Sequence, residues 1–419
     1  MRQIKKFSKI SLSTSTSQRV KKKFDYSFAM VIIGLSIFGV LMVYDGSAIV
    51  AVRQGLDPSY YFWKQLMWLL LGLIAGFIFF RIDYHLIAKF SIVMVVIAII
   101  LLIFVLVYNH NQDIKRWLPL GPFDLQPSEI TKFAFLIYLS SWLSKQRDQI
   151  TDVNEKIKNH IKHELIPFLL LLGGISILIL IEPDMDTTIM LGLTSLIVYF
   201  ISGNDRIHLY GSMAVGFLSL ILTTIATIIA KYRISRLTNF LDFWKTGDIV
   251  NPLNEGYQFR QILVAVASGG WLGLGFGQSR QKFLYLGDTA FSDTIFAIFA
   301  EEFGLIGCII LIGIFAYIFF KGYKIATRAP DKLGFLIVVS IITWLSMQSI
   351  LHIGANVALI PINGNTLPFL SYGGSSTVIN LAAIGVVLNV ASQSGDNKST
   401  GIKRNSEEIA SSLKRRRKK

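Results

Sequence analysis

The chain has 419 residues, 53% hydrophobic and only 16% charged, with a formal net charge of +15 and a mean hydropathy of +0.54. Soluble domains carry about 25% charged residues, so this composition excludes a soluble protein, a disordered chain and a collagen-like repeat. Cys308 is the single cysteine, which excludes an intramolecular disulfide, and six histidines without a His-Glu-x-x-His pattern give zinc chemistry no support. A polytopic membrane protein remains.

A bilayer core of about 30 Å takes roughly 20 apolar residues per helix. Ten spans are predicted, at 27–49, 62–80, 86–108, 127–144, 164–181, 187–203, 208–230, 294–320, 333–357 and 370–391. The fold class is therefore an all-α polytopic membrane protein, with a long external loop at 231–293 between spans seven and eight. No strand-like alternation marks an outer-membrane barrel. The membrane domain covers 25–392, between basic tails at 1–24 and 393–419. The first span follows a Ser/Thr-rich basic tail without a small-residue cleavage site and reads as uncleaved.

Basic residues set the orientation. The N-tail carries Lys21, Lys22 and Lys23, the C-tail ends in Arg415-Arg416-Arg417-Lys418-Lys419, and loops on the same side hold Arg81, Lys89, Lys145, Lys162, Lys324 and Lys332. Both termini are expected in the cytoplasm, where the tails control topology and attract anionic lipid rather than nucleic acid. The external loop breaks this pattern, because it carries Arg233, Arg236, Arg260, Arg280 and Lys282 that topology does not require. With Trp244, Tyr257, Trp271 and Tyr285 it is too aromatic for disorder and is expected to fold back onto the bundle.

Four segments concentrate unusual residues. The first, Arg116 to Glu129, runs into span four with Pro127 at a helix start and Glu129 in the first turn, an ordinary capped start by itself. Lys132 lies one turn deeper, at i+3 from Glu129, where a cation within a span faces protein or water; a pair lining a polar cavity competes with lipid-side snorkelling. The second, Glu182-Pro183-Asp184-Met185-Asp186, reads as a tight turn, with three carboxylates that also suit a cation.

The third segment combines Ser268-Gly269-Gly270 and Gly273-x-Gly275-x-Gly277 with Arg280 and Lys282. It lacks the strand and the Gly-Lys-Ser/Thr ending of a nucleotide loop, which leaves a phosphate-approaching backbone or a re-entrant element. Asp293 follows where the chain re-enters the membrane, suited to a helix cap or to acid–base work. The fourth, Asn363 to Ser376, offers Ser371, Tyr372 and Ser375 as a hydroxyl-rich lining for a polar headgroup, or as small residues for close helix packing.

These segments, in this order on ten spans, resemble the SEDS family (shape, elongation, division, sporulation; FtsW/RodA/SpoVE type) of peptidoglycan polymerases. The shared wording is Arg-Trp…Gly-Pro…Gln-Pro-Ser-Glu…Lys at 116–132, Glu-Pro-Asp…Thr at 182–187 and Gly-Tyr-Gln at 256–258. It continues with Ser-Gly-Gly…Gly-x-Gly at 268–277, Asp…Ile-Phe-Ala…Ala-Glu-Glu-x-Gly at 293–304 and Leu-Pro-Phe-x-Ser-Tyr-Gly-Gly-Ser-Ser at 367–376. Ser-Arg-Gln-Lys at 279–282 looks more like the division branch, FtsW, than the elongation branch, RodA.

The resemblance implies a glycosyltransferase that joins lipid II disaccharides into glycan strands at the outer face of a bacterial cytoplasmic membrane, at the division septum. It implies Asp293 as the catalytic carboxylate; from the basic groups available, Arg116, Lys132, Arg280 and Lys282 are expected as cations for the departing diphosphate, and Glu129, Ser371, Tyr372 and Ser375 as further substrate contacts. No cofactor is required, although a divalent cation is compatible with the acidic residues. A class B penicillin-binding protein is the implied crosslinking partner, beside other division proteins, with Gly304, Gly307, Gly313 and Gly334 as the small residues that a partner helix would approach. Two departures from the family stand out. The run Gly287 to Asp293 has one residue extra and lacks the family's Pro and His, which brings Asp288 in as a second candidate. Asp186 stands where the family commonly has glycine. A lipid-linked precursor flippase and a non-catalytic scaffold are the competing functions; carriers place polar sites near the midplane, whereas here they cluster at the external face.

Overall fold

The computed structural model describes residues 25–108, 116–121, 123–145, 161–203, 231–249 and 256–394, with short pieces between 209 and 224. The first four helices are α1 (Tyr26–Arg53), α2 (Tyr60–Arg81), the short α3 (Tyr84–Lys89) and α4 (Ser91–Tyr108). Strands β1 (Leu118–Leu120) and β2 (Phe123–Leu125) form an antiparallel hairpin with Pro119 opposite Asp124 and lead into α5 (Pro127–Ser144). A π-helical turn at Ile161–Leu165 opens α6 (Ile166–Ile181), and α7 (Met185–Ser202) follows. The long loop holds α8 (Lys231–Thr246), α9 (Tyr257–Ser268) and α10 (Gln281–Leu284); the last helices are α11 (Ile295–Ala326), α12 (Lys332–Asn356) and α13 (Gly374–Gln393).

Among the described residues eight helical stretches are long and apolar enough to cross a membrane: α1, α2, α4, α6 with its π turn, α7, α11, α12 and α13. The expected span four is α5, with 18 residues and a largely buried surface. The expected span seven, at 208–230, lies mostly outside the described residues. The expected span at 86–108 is broken, because α3 ends at Lys89 and α4 begins at Ser91, after the capping Phe90.

Helix boundaries follow local chemistry. Asp25, Asp83, Asp184 and Asp331 each cap a helix by accepting a backbone N–H, and Pro127 occupies the first turn of α5, where its missing N–H needs no partner. Burial then sorts the helices. In α13, 83% of the apolar stretch is buried, against 22% in α2, so α13 is a central helix and α2 a peripheral one. Helix α4 shows Ile92, Val96, Ile100, Phe104 and Val107 on its open face, the apolar surface a bilayer solvates. Small residues bring α2 and α13 together: a Cβ on Gly385 would sit 2.1 Å from the Gly76 carbonyl oxygen.

The long loop folds back as a re-entrant element. Helix α11 breaks at Gly304, whose φ of 65° and ψ of −168° remove it from helical geometry. The freed backbone is taken up by the glycine-rich loop: the Leu274 and Gly275 amides donate to the Glu301 and Glu302 carbonyls at 2.9 and 3.0 Å, and the Leu305 amide donates to Gly270 at 2.9 Å. Irregular backbone inside a membrane protein needs such internal partners. Only glycine fits here, since a Cβ on Gly273 (φ 80°) would lie 2.0 Å from the Glu302 carbonyl oxygen.

Candidate active site

At one end of the bundle, the C-terminal ends of α1 and α12 meet the N-terminal ends of α2, α5, α7 and α13. They enclose a cavity of about 1480 Å³, lined by residues that include Arg116, Asp186, Arg236, Asp293, Gly364 and Tyr372. The basic loops at Arg81, Lys89, Lys145, Lys162, Lys324 and Lys332 belong to the other end, as does the Lys321–Asp25 ion pair at 3.1 Å. The cavity therefore lies at the end of the bundle opposite these basic loops.

Asp293 lies between the 3₁₀ turn Gly287–Thr289 and α11, half-buried at the cavity wall. Three consecutive carbonyls fix the backbone leading to its side chain. Phe291 accepts from the Tyr372 amide at 2.9 Å, Ser292 from the Ser371 hydroxyl at 2.8 Å, and Asp293 itself from Asn356 Nδ2 at 3.1 Å. Burial pushes the Asp293 carboxyl up to about 6; Asp186 adds to the rise, while Arg236, the Ser292 hydroxyl and Arg116 oppose it. A carboxylate with that value is ionised at neutral pH yet basic enough to take a proton from a hydroxyl in a transition state.

Two arginines, with Lys64 of α2, give the cavity its positive side. Arg116 donates from Nε to the Glu182 carbonyl at 3.3 Å and from Nη2 to the Pro183 carbonyl, so neutral acceptors hold it and its charge stays available to the cavity. Arg236 reaches the same cavity from α8. Glu182 contributes no compensating charge, because burial and the nearby Asp184 push its carboxyl up to about 9 against the pull of Arg116. Asp184 instead ties elements together: it accepts from Gln126 Nε2 at 3.1 Å, from the Ser128 hydroxyl at 3.3 Å and from the Thr187 hydroxyl at 2.8 Å.

Lys132 donates to Glu129 Oε1 at 2.8 Å and lies 5.5 Å from the centre of the Trp344 ring. Glu129 lines the cavity, and Lys132 sits beneath it at 1% exposure, which removes the snorkelling alternative. Tyr372 lines the cavity as well, with its ring against Tyr61 and Phe291 at 5.4 and 5.2 Å.

Four expected contacts sit elsewhere. Lys282 is buried and donates to Asp45 at 2.6 Å and to Glu302 at 2.7 Å, so its charge is consumed in holding the re-entrant loop to α1 and α11. The Arg280 side chain is exposed away from the cavity, and its amide donates to Glu301 Oε1 at 3.1 Å. Ser371 donates to Ser292 and accepts from the Leu367 amide at 2.7 Å, which makes it a support for the Asp293 segment rather than part of the lining. Ser375 accepts from the Gln126 amide at 3.0 Å and donates to the Asp124 carbonyl at 3.2 Å, fastening the hairpin to α13. The Asp288 side chain lies outside the described residues.

Other cavity residues were not expected from sequence. Arg236 drew notice only as surplus loop charge, and Asp186 as a turn residue, a candidate cation ligand and a departure from the family's glycine; Gln348 lies inside an apolar span and gave no signal. Among the described residues no group of three or more His, Cys, Asp or Glu side chains is arranged to hold a metal ion.

This geometry sits on a widely shared scaffold. Stage V sporulation protein E of Bacillus subtilis is 37% identical over 380 residues, 88% of this chain and 98% of that protein. A probable peptidoglycan glycosyltransferase FtsW of Legionella pneumophila is 34% identical, covering 86% of this chain and 88% of its own. Among solved structures, a chain of a peptidoglycan synthase complex that coordinates polymerization and crosslinking superposes with a TM-score of 0.69 at 24% identity, over 89% of this chain and 99% of that one. The rod shape determining protein RodA of Thermus thermophilus superposes with a TM-score of 0.60 at 22% identity, over 88% and 96%. Residues 26–396 match the family described as cell cycle proteins, and the chain belongs to that FtsW/RodA/SpoVE family.

Proposed function

We propose that this chain is a peptidoglycan glycosyltransferase that polymerises lipid II at the outer face of the cytoplasmic membrane, in septal wall synthesis. The observation that carries this reading is Asp293, a fixed carboxylate on the wall of a cavity of about 1480 Å³ that Arg116 and Arg236 also line. Relatives of 34% and 31% identity that bear the name probable peptidoglycan glycosyltransferase FtsW support it.

The reaction follows from the charges. Asp293 takes the proton of the acceptor sugar hydroxyl as its oxygen bonds to the donor's anomeric carbon. The bond from that carbon to the lipid diphosphate breaks, its electron pair leaves with the diphosphate, and the proton on Asp293 is later released to water. Arg116 and Arg236 stabilise the negative charge that grows on the leaving group. Glu129 and Tyr372 line the path of the sugars, and Lys132 fixes Glu129 from below.

A crosslinking partner, a class B penicillin-binding protein, fits this reading. Of the four glycines expected at the partner surface, Gly304 packs on Gly273, Gly334 lies against Val390 and Tyr84, and Gly307 is crowded by Phe303. Gly313 faces open space beside the exposed Ile309, Ile310 and Ile312, which supports the approach of a partner helix there. The test is purified full-length chain with lipid II, alone and with a class B transpeptidase, read as glycan length on a gel with and without a chelator. Glycan strands made in either arm support the reading; none in both, from folded protein, overturns it.

A further inference from the structure

Asp186 is the second residue of α7, and its Oδ2 accepts a hydrogen bond from the Gly364 amide at 2.7 Å. Asp293 approaches the same glycine from the turn before α11. A Cβ built on Gly364 would sit 3.4 Å from Asp186 Oδ2 and 3.7 Å from Asp293 Oδ2. Two carboxylates from different elements therefore converge on one glycine at the wall of one cavity.

Such a pair does not ionise independently, because each negative charge disfavours the other. The surrounding charges moderate this without cancelling it. Burial raises the Asp186 carboxyl and Asp184, at the start of the same helix, adds to the rise, while the Gly364 amide, Arg236 from α8 and Arg116 from the segment before β1 oppose it; the two arginines oppose the rise at Asp293 as well. Lys64 of α2, Asp124 of β2 and Glu129 of α5 line the remainder of the cavity. A hydrogen bond from the Gly364 amide holds the Asp186 carboxylate in place, whereas Asp293 presents its own to the cavity.

We propose that Asp186 is a positioning residue that acts through Asp293: its fixed charge beside Gly364 raises the pH at which Asp293 becomes a base and so sets the acid limb of polymerisation. This rests on Asp293 being the base of the proposed glycosyl transfer. The chemical advantage is strength, since a base whose proton affinity lies nearer to the working pH removes a hydroxyl proton more readily. The competing role for Asp186 is an acidic residue in the first turn of α7, favourable to the helix dipole. That role affects folding and leaves the acid limb in place.

The experiment is the pH–rate profile of lipid II polymerisation by the full chain, wild type against Asp186→Asn and Asp186→Glu, each limb read relative to the variant's own plateau. Asp186→Asn keeps an acceptor for the Gly364 amide and deletes the charge. Its acid limb should move to lower pH by about tenfold in proton concentration, and Asp186→Glu should restore the wild-type limb. Coincident limbs for wild type and Asp186→Asn, or a limb displaced equally by Glu and Asn, overturn the proposal. Asp186→Gly, with the same expected displacement, replaces the Asn variant if that one does not fold. Wild-type protein that makes no glycan at any pH defeats the glycosyltransferase reading instead. In that event infrared difference titration of the Asp293 carboxyl, assigned with Asp293→Asn, still decides: the carboxyl band should vanish at lower pH in Asp186→Asn than in wild type, and an unmoved band overturns the coupling.

Discussion

Asn356 Nδ2 donates to the Asp293 carbonyl oxygen at 3.1 Å while also donating to the His352 carbonyl at 2.9 Å, so the last turn of α12 holds the proposed base through one amide. Asn356 itself is 2% exposed and is not part of the cavity lining. Asn356→Ala should lower kcat about tenfold or more with little change in KM, because small displacements of a reacting group are costly in rate. Steady-state polymerisation kinetics check this; an unchanged kcat would mean that Tyr372 and Ser371 suffice to hold the segment.

Lys282 is expected to matter for folding rather than for substrate. Lys282→Met leaves Asp45 and Glu302 buried without their cation, and breaking a buried pair in this way costs about 3–5 kcal/mol. Detergent melting curves should show a strongly lowered midpoint, with partial recovery when Glu302→Gln is added. A normal midpoint together with weakened lipid II binding would return Lys282 to the substrate site.

The Lys132–Glu129 pair supports the cavity floor. Lys132→Met strands the Glu129 carboxylate, whose Oε2 already lacks a partner. Apparent lipid II affinity should fall, and the loss in the Lys132→Met, Glu129→Gln double variant should be smaller than the two single losses added together. Strict additivity across that cycle would indicate that the two residues act separately.

Polymerisation should follow the protonation of Asp293. Its carboxyl is pushed up to about 6, first by burial and then by Asp186, and the base form exists above that value. Activity should therefore be full near neutral pH and fall as the pH drops through about 6. A rate that stays flat down to pH 4.5, in protein that remains folded, would remove Asp293 from the proton-transfer step.

Much of this site was legible in the sequence because its chemistry is local. Pro127 and Glu129 announce a helix start, the Glu129–Lys132 spacing announces an ion pair, and Asp293 stands at a visible boundary between loop and span. The glycines from 269 to 277 signalled irregular backbone, and the structure shows that backbone pairing with the broken helix at Gly304. Long-range pairing was not legible. Lys282 and Arg280 look alike beside a glycine loop, and only the fold brings Asp45, from 237 residues away, onto Lys282. Ser371 and Ser375 are small polar residues whose partners, Ser292 and Asp124, lie in other segments, so their supporting roles had no local signature. Asp186 read as a turn residue or a cation ligand, and its approach to Asp293 across Gly364 had no local signature.

The most direct test of the central claim is lipid II polymerisation by purified full-length Asp293→Asn, compared with wild type in the presence of a class B transpeptidase. The substitution keeps the side chain's shape and removes its titration. General-base catalysis contributes about 10²- to 10⁴-fold, so glycan products should fall to near background while melting behaviour and transpeptidase co-purification persist. Near-normal glycan synthesis by a well-folded Asp293→Asn protein would contradict the assignment and shift attention to Asp288.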